Sequence, residues 1–203
     1  MITTRPITLE GTRVKLMPLS ADHGESFKPI LLAEELYKLW YTAVPTVEQI
    51  EEEIKRRLAF QSIGAWIPFS VKDKRDDKIC GMTSYMNIDI KNRRVEIGST
   101  WLSKTVQRSG LNTQMKYLML EHAFESFNCI AVEFRTHFMN HQSRTAIERL
   151  GAKLDGVLRN HQIMPNNSLR DTCVYSITNA EWPTVKAHLN HLQSLHIQNT
   201  LNQ

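Results

Sequence analysis

The chain has 203 residues, of which 41% are hydrophobic, a size and composition that suit one globular domain with a sizeable core. Its 25 Lys and Arg against 21 Asp and Glu leave a formal charge of +4 that is spread along the chain. No basic stripe of the kind that grips nucleic acid is present. The apolar stretches are far short of a membrane span, and Met1-Ile2-Thr3-Thr4-Arg5-Pro6 lacks the apolar core of a signal peptide, so a cytoplasmic protein with no membrane partner is expected.

In chain order, residues 13–19 alternate apolar and polar like a first strand, after which Ser20 is placed to cap a helix to about Ala33. Thr46 with Gln49 has the form of a capping box, followed by Ile50, Ile54 and Leu58 on one helical face. Residues 66–71 and 78–90 read as an antiparallel pair joined by the charged tip Lys72-Asp73-Lys74-Arg75-Asp76-Asp77. A third strand, residues 94–102, leads to the glycine-bearing turn Gln107-Arg108-Ser109-Gly110-Leu111-Asn112-Thr113. A helix to about Phe127 follows, with Met115, Leu118, Met119, Ala123 and Phe124 on its core face.

Residues 130–136 form another strand-like run, then come Asn140-His141-Gln142-Ser143, a short helix to Leu150, and Leu150-Gly151-Ala152. A hairpin of residues 157–164 and 169–177 turns through Pro165-Asn166-Asn167-Ser168. No linker cuts the chain, so residues 1–182 read as one domain and 183–203 as a helical extension. Its stripe of Val185, Leu189, Leu192 and Leu195 is expected to pack on the same domain, with a polar tail beyond Gln198. The pattern is that of an α/β protein with a mixed sheet and helices on both sides.

Three features bear on chemistry. Backbone N–H groups at a glycine turn that opens a helix are unpaired and sit at the positive end of the helix dipole, so the 107–113 turn is a cradle for a phosphate. The three cysteines, Cys80, Cys129 and Cys173, form no close pair and have no activating neighbour, so they read as small buried hydrophobes. Eight histidines invite a metal reading, but neither His137 with His141 nor the group His188, His191 and His196 has the companion ligands of a zinc site. No metal is expected, and His137 and His161 are placed instead near a possible acceptor cleft.

Taken with the strand before it, the Asn-x-x-Ser of Asn140 and Ser143, and Leu150-Gly151-Ala152, the turn resembles that of the GNAT superfamily of acetyl-CoA-dependent N-acetyltransferases. Within it the chain is most similar to the branch of ribosomal-protein N-terminal acetyltransferases, in which a Gln/Arg-x-x-Gly-x-Gly/Ala turn holds the coenzyme A pyrophosphate. Gln107 and Gly110 match that pattern, while Asn112 stands at its last small position and Ala152 replaces an aromatic.

The resemblance implies a mostly antiparallel GNAT-like sheet in which strands 94–102 and 130–136 splay into an acetyl-CoA cleft. It places the pantetheine arm along the backbone of Thr100, Trp101 and Leu102, and the rest of coenzyme A on Gln107, Arg108, Ser109, Gly110, Leu111, Asn112, Thr113, Asn140 and Ser143. It also implies acetyl transfer to a primary amine, of a small molecule or a peptide or protein N-terminus, by direct attack in a ternary complex, the protein being a monomer or homodimer.

Glu96 is the candidate base, the other reading being a solvated carboxylate or a partner of Arg93 or Arg94. The tyrosine acid often found in the superfamily in the helix after Asn140 has no counterpart in residues 144–149, and Ser143 is the candidate to substitute through its hydroxyl, or else caps the helix. The alternative to an enzyme is a degenerate acetyl-CoA-binding sensor or interaction module, which Asn112 and the absent tyrosine keep open.

Overall fold

The computed structural model describes residues 2–201, with side chains described to residue 195. His196 and the polar tail expected beyond Gln198 therefore fall on side chains, and at Asn202 and Gln203 on backbone, outside the described residues.

A single sheet organises the chain: β1 (Leu9–Glu10), β2 (Val14–Pro18), β3 (Ile67–Asp73), β4 (Lys78–Asp89), β5 (Arg94–Leu102), β6 (Ala131–His137), β7 (Lys153–Ile163) and β8 (Leu169–Thr178). Its order is β1-β2-β3-β4-β5-β6-β8-β7, and every pairing is antiparallel except β5 with β6. The expected final hairpin is present, but its second strand, β8, inserts between β6 and β7. That placement leaves β7 as an edge, and most of its residues are exposed.

Helices α1 (Gly24–Glu34) and α2 (Ile50–Ser62) cover one face, where Phe27, Leu31, Ile50 and Ile54 bury against Met82 and Trp101. Helices α3 (Leu111–Glu121), α4 (His141–Arg149) and α5 (Trp182–Leu201) contribute to the core on the other, where Met115, Met119, Ile147, Val185 and Leu189 join Val95, Ile97, Val132 and Tyr175. Alternation with period two along the strands and 3.6 along the helices is what sends these residues inward.

Local capping differs in detail from the sequence reading. Ser20 caps a short 3-10 turn (Ala21–His23) that leads into α1. Gln49 stands at the N-cap of α2 and returns its side chain to the Thr46 N–H at 3.1 Å, so one half of the expected box forms. Helix α3 starts two residues before Thr113 and ends in a wider turn at His122–Ser126.

In the α5 stripe Val185 and Leu189 are buried, Leu192 packs against the same core and Leu195 is exposed. Leu189, with no exposed surface, is enclosed by the main core, so Leu189→Ala should lower unfolding free energy by about 2–4 kcal/mol through lost burial and a residual cavity. Urea denaturation measures it. A loss below about 0.5 kcal/mol would mean that α5 stands apart from the core.

Candidate active site

Strand β5 lies at the centre of the site because it changes partners along its length. It is paired in parallel with β6 at Arg94↔Ala131, Val95↔Val132 and Glu96↔Glu133, and the pairing stops there. Strand β6 continues against β8 through His137, while β5 continues against β4 to Leu102. Beyond Glu96 the two strands part, as the expected splay requires.

A bulge lies just past the fork. Gly98 is opposite Ser84 and Trp101 opposite Met82, so β5 carries one extra residue, and Ser99 takes a left-handed backbone with φ of 47°. Because side chains alternate, one inserted residue reverses the facing of everything after it. Ile97 therefore joins the α3 side of the core, Trp101 packs edge-on to Phe27 on the α1 side at 5.5 Å, and Leu102 returns to the α3 side.

Glu96 sits at the apex of the fork on the α1 side of the sheet, 6% exposed. Asn87 donates to its Oε2 at 2.7 Å and the Arg135 Nε lies 3.6 Å away. Of the two partners considered in the sequence, Arg93 and Arg94, Arg94 instead holds Glu133 at 2.7 Å. Burial raises the Glu96 pKa above the ordinary carboxylate range, against the opposing pull of Asn87 and Arg135. Gly98 makes room for this carboxylate: a Cβ there would stand 3.0 Å from Glu96 Oε1 and 2.9 Å from Met86 Sδ.

The far end of the parted strands is the glycine turn. Glu34 of α1 accepts from the Lys104 N–H at 2.6 Å and fixes the segment leading into it. Arg108 and Gly110 both have left-handed backbones, at φ 58° and 84°, and Gly110 is the N-cap of α3 with no side chain closing the helix end. Alternating left-handed residues direct successive N–H groups to one side, which makes an anion-binding concavity. Arg13 donates to the Ser109 carbonyl and Arg149 to Thr113 Oγ1 at 3.1 Å, adding two guanidinium groups beside the turn.

Asn112 needs no unusual backbone, because it lies within α3. Gln107 is partly committed elsewhere, its Nε2 donating to the Leu102 carbonyl at 3.0 Å. Leu111 is buried, and Thr100 is exposed on the open length of β5.

Helix α4 forms the opposite wall. Its N-cap is Asn140, whose Oδ1 accepts from the Ser143 N–H at 3.0 Å, so Ser143 lies in the first turn and is not itself the cap. Gln142 reaches across the mouth to Gln107 Oε1 at 3.4 Å.

His137 lies on the same face of β6 as Glu133 and Arg135, packed edge-on against the rings of Trp40 and Tyr41, and burial lowers its pKa. His161 meets Thr172 Oγ1 at 3.0 Å. A cavity of about 490 Å³ opens between residues 37–49, α2 and the hairpin tip at Pro165 and Asn166. Among the described residues no His, Cys, Asp and Glu cluster is placed to hold a metal. Cys80 and Cys129 are buried, and their thiols are pushed up to about 12 and about 11, which leaves neither as a thiolate at neutral pH.

The model of the acetyltransferase (GNAT) domain matches residues 13–153. The chain belongs to the GNAT acetyltransferase family. A GCN5-related N-acetyltransferase from Brucella melitensis superposes with a TM-score of 0.84 over 93% of this chain and 86% of its own, at 27% identity. Mycobacterium smegmatis RimJ, solved with CoA-disulfide, superposes with a TM-score of 0.80 over 95% and 97% of the two chains; at 20% identity the likeness concerns the fold alone.

A Bacillus subtilis protein described as "Putative ribosomal N-acetyltransferase YdaF" is 32% identical over 107 residues. That match spans 53% of this chain and 57% of the relative, so the chain covers little more than half of it. Among the described residues no helix of this GNAT chain is long and apolar enough to cross a membrane.

Asn87, Gly98, Lys116 and Arg135 were not singled out from sequence. A glycine two residues after a glutamate in an otherwise apolar strand was the available signal for Gly98, and a lysine between Met115 and Met119 for Lys116.

The raised pKa of Glu96 has a consequence for stability. A carboxyl whose folded pKa exceeds its unfolded value favours folding below the unfolded pKa and loses that contribution as pH rises through the folded one. Glu96→Gln removes the titration, so at pH 8 the variant should unfold at a urea concentration no lower than the native chain. A clearly lower midpoint would show that the ionised carboxylate is a structural tie.

Proposed function

We propose that this chain transfers the acetyl group of acetyl-CoA to a primary amine, by direct attack in a ternary complex with Glu96 as general base. The observation that carries the reading is the arrangement along one strand. Glu96 stands at the fork, an unpaired backbone edge follows it, and the left-handed turn with the α3 N-terminus closes the far end.

The residues fit coenzyme A. Gly110 and Arg108 present N–H groups for a pyrophosphate, with Leu111, Asn112 and Thr113 opening the helix behind them. The open edge of β5 at Thr100 and Trp101 offers backbone groups to an extended amide-bearing arm, whereas the Leu102 carbonyl is already taken by Gln107. Asn140 and Ser143 form the facing wall from α4. Bound acetyl-CoA supplies an activated thioester carbonyl.

The chain's own tasks are then to orient the amine and accept its proton. A carboxylate with a raised pKa is better matched to that work than an ordinary one. Asn87 fixes Oε2 of Glu96, and the absence of a side chain at Gly98 leaves room for Oε1. Ser143 is the candidate to hand a proton to the leaving thiolate; because a thiol is a ready leaving group, its hydroxyl matters less than Glu96.

The acceptor reaches Glu96 from the α1 and α2 side, where Arg135, His137, Trp40 and Tyr41 line the approach. The likeness to a ribosomal N-acetyltransferase supports a protein N-terminus as acceptor.

Two measurements test this reading. Glu96→Gln should lower turnover about a hundredfold or more with acetyl-CoA affinity nearly intact, and raising pH should partly rescue the variant, because more of the acceptor amine is then already neutral. Near-normal turnover at neutral pH would leave catalysis to proximity alone. Gly110→Val forces a β-branched residue into a left-handed backbone and should weaken acetyl-CoA binding tenfold or more, about 1.4 kcal/mol by calorimetry. Unchanged affinity in a folded variant would remove the turn from the site.

A further inference from the structure

Lys116 is the least expected side chain in the core. It lies on the sheet-facing side of α3, 6% exposed, between the fully buried Met115 and the buried Met119 one turn on. Among the described residues no carboxylate comes within ion-pair distance of it. Its Nζ is 2.9 Å from Thr100 Oγ1 and 3.5 Å from Thr83 Oγ1, and those two hydroxyls are 2.7 Å apart. The three polar groups close a ring that joins α3, β4 and β5.

Folding alone gives no reason for a lysine here. A buried amine without a counter-charge is costly, and burial pushes this one down to about 7. A methionine would fill nearly the same volume with no polar group to satisfy, as its neighbours on α3 already do. What distinguishes the position is its partner. Thr100 directly follows Ser99, the left-handed residue of the bulge, on the length of β5 that β6 has left.

The bulge is a part of the strand with weak support of its own. Its extra residue has no ladder partner in β4, and a left-handed backbone at a serine is unfavourable. The Thr100 hydroxyl also has the Gly98 carbonyl at 3.3 Å, a bond within its own strand that would draw it away from α3.

We propose that Lys116 is a positioning residue: through Thr100 and Thr83 its amine holds the bulged backbone of β5 in the conformation that presents the open edge to the acyl-thioester arm. This rests on the acetyl-transfer reading. It assigns Lys116 a role in turnover without contact to the reacting atoms, and it explains a lysine kept where an apolar residue would be more stable.

The experiment compares the native chain with Lys116→Met, Thr100→Val and the double variant. Lys116→Met should unfold at the same or a higher temperature while kcat falls about tenfold or more, with the KM for the amine and the Kd for acetyl-CoA each changed less than about threefold. Stability and rate moving in opposite directions is a result that a merely structural lysine would not give. The double variant should be no slower than Lys116→Met alone, because both substitutions break one ring.

Amide hydrogen exchange at Ser99, Thr100 and Trp101 should be faster in Lys116→Met, a readout that needs no substrate. Native kcat in folded Lys116→Met, or unchanged exchange at those amides, overturns the proposal; should that variant not fold, Thr100→Val decides by the same two readouts. A native chain inactive on every amine tested would count against the acetyl-transfer reading, and the exchange measurement would still decide the role of Lys116 in holding the bulge.

Discussion

The parting of β5 from β6 after the Glu96↔Glu133 pair is the constraint from which the rest of the site follows. Backbone N–H and C=O groups that leave a ladder have to find other partners. Strand β6 keeps its bonds to β8, so it stays in place. Strand β5 keeps its bonds to β4 but is kinked by one extra residue at Ser99. Each strand is therefore left with an open edge facing the other, and that of β5 is bounded by Glu96 at one end and by the left-handed turn at Arg108 to Gly110 at the other. One inserted residue thus sets both where an extended ligand arm can lie and which side chains flank it.

That same insertion explains how the site is built into two separate layers. Without it, Trp101 would face α3 with Ile97, and Leu102 would face α1. With it, Trp101 fills the space beside Phe27, and Thr100 turns toward Lys116. The glycine turn with the start of α3 and the Glu96 carboxylate in this way lie on opposite faces of the sheet, with the fork between β5 and β6 between them.

Most of the elements were legible in the sequence because each has one clearly buried side. The alternation in residues 13–19 and the stripe of Met115, Met119 and Ala123 are direct records of what each segment packs against. The glycine turn was legible too, since Gly110 does adopt the backbone that glycine permits most freely. The bulge was not. Gly98-Ser99-Thr100-Trp101-Leu102 reads as an uninterrupted strand, and only pairing with β4 reveals the extra residue. The insertion of β8 between β6 and β7 escaped for a related reason: a hairpin's sequence specifies its turn, not which of its strands meets the sheet. Asn112 stands at the last small position of the family pattern, but the helix has already begun there, so no special backbone is required of it. Lys116 drew no attention in the sequence because charge is the usual mark of exposure.

Buried polar groups in this chain fall into two kinds, and the contrast bears on what maintains them. Arg57, almost fully enclosed, is paired with Glu53 at 2.7 Å and reaches Ser84 at 3.3 Å, so it ties α2 to β4 with its charge compensated. Lys116 has hydroxyls only, and Glu96 has an amide and an arginine beyond normal hydrogen-bond reach. The Trp101 Nε1 and the His137 Nε2, both buried without a hydrogen-bond partner, belong to the two strands that part, and the similarly unpaired Arg13 Nε belongs to a side chain that meets the glycine turn. Unsatisfied or uncompensated groups are unfavourable wherever they are buried. A fourth such atom, His122 Nε2, lies away from the fork in the wide turn after α3, so only part of this set bears on the site; three of the four sit on the parted strands or beside the glycine turn, where a bound group could satisfy them.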